Sequence, residues 1–220
     1  MAYRFQPNLS RPFAPAVPVQ SLLAQVLGIT ALGLGITALA VYLFPNVPSG
    51  VGLIAMLIGF VVLISINATR ANGTLSLALF YAFAFLEGIG IAPVVTYYAH
   101  VAGPGVVFNA ALTTGLGMFA LGAVVYATGL DLRRFQGFVM LALIGVIIVS
   151  VVSIFVHFIQ PTTISWLVLV IFSALVLIDF ARIRAGGDGL TPVQMAVSIY
   201  LDAINIFLAL LRILGNRRSD

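Results

Sequence analysis

The chain has 220 residues, of which 62% are hydrophobic and only 7% charged, whereas a water-soluble domain keeps about a quarter of its residues charged. Its net charge of +4 comes from ten arginines against six acids, with no lysine and no cysteine. That composition excludes a soluble globular fold, a disulfide framework, a thiolate metal site and a lysine Schiff base.

Residues 1–20 hold Pro7, Pro12, Pro15 and Pro18, a density that forbids helix and predicts a flexible tail ahead of a transmembrane domain over 21–220. Apolar runs of about 20 residues, the length that crosses a bilayer, cover 22–44, 51–68, 75–98, 106–128, 135–158, 164–182 and 193–214. The first is too long for a signal-peptide core and is expected to stay attached. Between the runs lie turn formers: Pro45 and Pro48 with Gly50, Asn72-Gly73, Gly103-Pro104-Gly105, Gln160-Pro161, and Gly186-Gly187-Asp188-Gly189. The chain therefore reads as an all-α integral membrane protein with seven transmembrane helices joined by short hairpin loops.

Arg4 and Arg11 precede the first span, Arg70 follows the second, Arg133 and Arg134 the fourth, and Arg182 and Arg184 the sixth, while the other three breaks hold none. By the positive-inside rule the N-terminus and the even-numbered breaks face the cytoplasm. Arg217 and Arg218 would then lie outside after seven crossings, so the last segment is either re-entrant or overruled by the earlier arginines. The arginines sit at span ends and form no basic patch, so nucleic acid is not an expected partner. Arginine use without lysine points to a GC-rich genome and a bacterial inner membrane. Ala24, Gly28, Ala31 and Gly35, and Gly115 with Gly122, have the spacing of helix-packing positions. Tyr97, Tyr98 and Trp166 read as interfacial anchors.

Three acids fall inside apolar runs: Glu87, Asp179 and Asp202. A carboxylate at bilayer depth costs roughly 2.5 to 3.5 kcal/mol on insertion scales, so each needs a partner, a proton or water. Ser198, Asp202 and Asn205 share one helix face, a polar stripe that points inward or along an ion path. Asp179 lies about three residues from its helix end and Asp202 about nine, roughly 5 and 13 Å at the helical rise. Should the two meet, they cannot both ionise cheaply and will share a proton. Their oxygens would suit calcium, and Arg70 is the candidate countercharge. Glu87 precedes Gly88, Gly90 and Pro93, whose missing N–H opens a polar kink suited to an ion path. His100 and His157 show no ligand spacing.

At these residues the chain resembles a known family. Tyr200-Leu201-Asp202-Ala203-Ile204-Asn205-Ile206-Phe207, followed by Leu210-Leu211-Arg212, is similar to the terminal-helix signature of the Bax inhibitor-1 family, also called the transmembrane Bax-inhibitor-motif family. Phe80-Tyr81-Ala82-Phe83-Ala84-Phe85-Leu86-Glu87-Gly88 resembles its third helix, and the bacterial branch matches best. The resemblance implies a central C-terminal helix wrapped by the other six and a pH-sensitive calcium leak. It further implies that Asp179 and Asp202 form a di-aspartyl pH sensor and gate, and that Arg70 is its latch. No role transfers to Glu87.

Calcium as permeant ion, protons and membrane lipids are the expected partners, with no tightly bound cofactor and any protein partner unknown. An intramembrane aspartyl protease would carry Gly-x-Gly-Asp, and residues 185–188 read Ala-Gly-Gly-Asp in a polar loop, so no enzyme is expected. A non-conducting regulatory scaffold and a proton-coupled transporter are the rival readings.

Overall fold

In lipid a backbone N–H or C=O must find its partner within its own segment, so each apolar run folds as one helix. The computed structural model describes residues 19–156 and 159–216. Its helices are α1 (Val19–Leu43), α2 (Ser49–Ala68), α3 (Gly73–Val101), α4 (Pro104–Thr128), α5 (Gln136–Val156), α6 (Pro161–Arg184) and α7 (Pro192–Asn216), with one 3₁₀ turn, Arg133–Phe135, before α5. All seven are long and apolar enough to cross a bilayer, and the chain is an integral membrane protein. Val19 and Gln20, expected in the tail, already belong to α1. The rest of that tail, with Arg4 and Arg11, lies outside the described residues, as do His157, Arg217 and Arg218.

Helix ends follow local chemistry. The Asn72 side chain accepts a hydrogen bond from the Leu75 N–H at 3.1 Å and starts α3. Pro104 and Pro161 open α4 and α6, where no N–H is missed. The α6–α7 connection turns through Gly186, Gly187, Asp188 and Gly189, all with positive φ, a path that only a glycine-rich stretch follows without strain.

The C-terminal helix is central: α1, α3, α4 and α6 pack directly along α7, while α2 leans on α3 and α5 on α6. Burial follows this order, with α7 the most enclosed span and no buried residue among those described in the α5 span.

The three arginine-bearing connections gather at one end of the bundle. There Arg133 pairs with Asp188 at 2.8 Å, Arg184 donates to the Gly129 carbonyl at 2.6 Å, and Gln194 donates to Asn67 at 3.0 Å. At the opposite end Asn216 donates to Thr162, the second residue of α6, at 3.0 Å. Helix α7 therefore runs the full depth of the bundle beside α6, and the re-entrant alternative for the last segment does not form.

The close helix approaches lie elsewhere than the stripe of small residues suggested. Ala24, Gly28, Ala31 and Gly35 are exposed on the outer face of α1, and a Cβ added at Gly28, Gly35 or Gly115 meets nothing within 4 Å. Contact is made instead at Gly88, where an added Cβ would come within 2.6 Å of both the Ala40 Cβ and the Thr37 carbonyl of α1. Gly122 does pack, against the Phe180 ring. Small-residue spacing identifies a face but not which way the face points.

Candidate functional site

Asp179 on α6 and Asp202 on α7 line one cavity of about 160 Å³. It is walled by α5, α6 and α7, with Met140, Leu143 and Phe172 supplying much of its apolar surface. Helical rise explains how acids at unequal depth meet. Asp179 lies five residues before the end of α6 and Ser198 six residues into α7, so both sit roughly 8 to 9 Å from the arginine-bearing end. Ser198 accordingly lines the same cavity as Asp179. Asp202 is one turn deeper on the same face and lines the same cavity as Asp179 and Arg182.

The three charged groups are all enclosed: Asp179 is 5% exposed, Asp202 3% and Arg182 8%. Arg182 donates from Nη1 to Asp179 Oδ1 at 2.5 Å and from Nη2 to Gln136 Oε1 of α5 at 2.8 Å. The Oδ2 atoms of both aspartates are buried and have no hydrogen-bond partner among the described residues. One guanidinium thus faces two carboxylates. If both aspartates are ionised the cluster carries one surplus negative charge, a costly state in a dry interior.

The remaining candidates fall outside this cavity. Arg70, expected as the latch, is exposed in the turn after α2, and among the described residues the ion pair to Asp179 is made by Arg182. Asn205 turns its amide back to the Leu201 carbonyl of its own helix at 2.8 Å. Glu87 is half-buried midway along α3, on the side of the bundle where Tyr200 stands. Calcium takes six to eight oxygen ligands, and among the described residues no group of three or more His, Asp or Glu is placed to hold a metal ion.

Sequence reasoning passed over Arg182 because an arginine near a span end is an ordinary topology signal. Its position three residues after Asp179 was the available clue, since that spacing puts both on one helix face. Nothing in the sequence tied Gln136 to this pair.

Outside the membrane spans, Arg133 donates three side-chain hydrogen bonds to Asp131, the shortest from Nη2 to Oδ2 at 2.7 Å. The hydrogen bonds from Arg133 hold the Asp131 carboxyl down at about 2. Arg133 is raised in turn by Asp131 and Asp188.

A family model described as inhibitor of apoptosis-promoting Bax1 matches residues 19–219. The chain belongs to the Bax inhibitor-1 family. The inner membrane protein YbhL of Escherichia coli is 28% identical over 93% of this chain and 95% of its own. An uncharacterized membrane protein of Streptococcus pyogenes serotype M3 has the same identity and coverage. A protein of Borreliella burgdorferi is 31% identical over 90% of this chain and 93% of its own. In this member of the Bax inhibitor-1 family, the terminal-helix signature falls on α7, with Tyr200 and Asp202 on roughly opposite sides of the helix.

Proposed function

We propose that this Bax inhibitor-1 family protein is a pH-sensitive calcium leak of the bacterial inner membrane, with the arginine-bearing end of the bundle in the cytoplasm. The observation that carries the reading is the charge count: two buried aspartates around one cavity, one arginine beside them, and an unpartnered oxygen on each acid. Arg182 balances one carboxylate. The other is stable only with a proton or with a cation from outside the protein.

With a proton on the pair, the acids hydrogen-bond to one another and hold α6 against α7. When that proton leaves, the surplus charge repels across the cavity and attracts a cation. The cavity has room for a few waters, each with a liquid volume of about 30 Å³, so calcium would pass there partly hydrated, Asp179 and Asp202 lending oxygens in transit. Ser198 supports the same reading, because it lines the cavity and its hydroxyl supplies one more oxygen at the level of Asp179. Glu87 and Asn205 are the acid and amide further along the bundle that would extend an ion path.

Calcium entry into liposomes containing only the purified protein tests this between about pH 5 and 8. Flux above empty vesicles with a pH dependence that disappears in Asp202→Asn and Asp179→Asn is the expected result. No flux at any pH would overturn the channel reading in favour of a non-conducting scaffold. An unchanged pH profile in both variants would remove the aspartate pair from the mechanism.

A further inference from the structure

Helices α1 and α4 both lie along α6 and α7 but form no packed pair with each other. Between them runs a groove of about 420 Å³, separate from the cavity of the aspartates. Its walls extend from Leu23 to Leu34 on α1 and from Tyr126 back to Gly115 on α4, and its floor is Phe180 of α6 with Ile199 and Ala203 of α7. Each wall covers eleven residues, roughly 16 Å at the helical rise. Both walls start near the arginine-bearing end, Leu23 four residues into α1 and Tyr126 two residues before the end of α4. The groove thus reaches through about half of the roughly 30 Å of bilayer hydrocarbon, the depth of one leaflet.

Length and volume agree on one occupant. A saturated chain with bonds of about 1.5 Å advances about 1.25 Å per carbon, so roughly 16 Å takes about 13 carbons. A methylene fills about the 30 Å³ that a water molecule takes in the liquid, so about 420 Å³ takes about 14. Thr30, the hydroxyl on the α1 wall, is already bonded to the Ala196 carbonyl at 3.3 Å, which leaves the groove apolar up to Tyr126.

The mouth is cationic. Arg184 stands one turn after Phe180 on the same face of α6, and its Nη1 donates at 2.7 Å to the Val125 carbonyl, the peptide oxygen next to Tyr126. Its acceptors are carbonyls, of Val125, Gly129 and Leu130, and among the described residues no carboxylate pairs with it. The acids of the adjoining connections, Asp131 and Asp188, are both held by Arg133. A guanidinium has five N–H donors, so Arg184 keeps both donors and charge for an anion at this level.

We infer that the groove binds one membrane phospholipid from the leaflet at the arginine-bearing end, with an acyl chain lying between α1 and α4 and the phosphate meeting Arg184. The floor residues Phe180 and Ala203 are chain neighbours of Asp179 and Asp202, so the seated chain bears on the back of the two helices that carry the acids. The inference rests on the groove and on Arg184 and is independent of the calcium reading.

The full chain in liposomes of phosphatidylglycerol carrying a diazirine in one acyl chain tests it, with photo-adducts mapped by mass spectrometry and retained lipid counted after detergent extraction. Expected are one retained lipid per chain and adducts on Leu27 and Phe119 well above those on Ile144, which is exposed on α5 eight residues in from the same end, as Leu27 is on α1. Arg184→Gln is expected to lower retention about tenfold, the size of one charge-assisted contact, and Arg184→Lys to keep most of it. Gly115→Leu directs its side chain into open space and is expected to displace the lipid at an unchanged melting temperature. Adducts spread evenly over Leu27, Phe119 and Ile144, or retention indifferent to Arg184→Gln or to Gly115→Leu, would overturn the site. So would disulfide-linked dimers of Leu27→Cys, in a chain with no other cysteine, because a second copy would then fill the groove.

Discussion

Arg182 and Asp179 stand one turn apart on α6 and close an ion pair inside the protein, while the other arm of the same guanidinium reaches Gln136 of α5. The arginine is thereby the junction between the helix that carries the acid and the helix that covers it. Its removal leaves a buried carboxylate uncompensated, a loss of about 3 to 5 kcal/mol for pairs of this kind. Arg182→Gln is expected to lower the melting temperature in detergent strongly, and Asp179→Asn combined with it to recover much of that loss. Additive effects of the two substitutions would show that the pair does not act as one unit.

The pH profile of calcium flux separates the two arginines. Because Arg182 pairs with Asp179 and lines the cavity it shares with Asp202, while Arg70 is exposed, Arg182→Gln is expected to displace the profile and Arg70→Ala to move it less. A larger displacement from Arg70→Ala would restore the sequence-based expectation that Arg70 is the latch.

Close backbone approach makes a third prediction. At Gly88 an added Cβ meets a carbonyl and a Cβ that cannot turn aside, so Gly88→Ala is expected to cost about 1 to 3 kcal/mol by overpacking. Gly115→Ala adds its Cβ to open space and is expected to stay within about 0.5 kcal/mol of the parent. Thermal unfolding of the two variants side by side decides it.

The connection between α4 and α5 is expected to be indifferent to pH in the range where the leak responds. Asp131 is held at about 2, below its ordinary 3.8, chiefly by the hydrogen bond from Arg133. A carboxyl lowered in the folded state contributes its stability above its ordinary value and loses it as pH falls toward 2. Its titration followed by NMR should therefore lie near 2, and return to the ordinary carboxylate range in Arg133→Ala. Because the pair is solvent-exposed, overall stability should change little.

Much of the architecture was legible because lipid imposes one rule on every segment: the spans at 51–68 and 106–128 end within a residue or two of α2 and α4. The aspartates were legible for a related reason, since a charge inside an apolar run stands out in one dimension. What was not legible depended on rotation about a helix axis. Gly28 and Gly33 have equal claims by type, but only Gly33 faces the bundle, against the Phe80 ring. Arg182 and Arg70 look alike as end-of-span arginines, and only the inward turn of one of them makes it part of the site. Tyr200 was read within a signature, whereas its bond to Thr37 joins residues 163 apart in the chain.

Helix α5 has no buried residue among those described in its span and rests on α6, which is synthesised after it. During biogenesis α5 must therefore stand alone in the bilayer until its support emerges. Its sequence suits that wait, running from Gly137 to Val149 without a polar side chain. The helix that walls the cavity of the aspartates is thus in place before α6 and α7 deliver the charges that the cavity encloses.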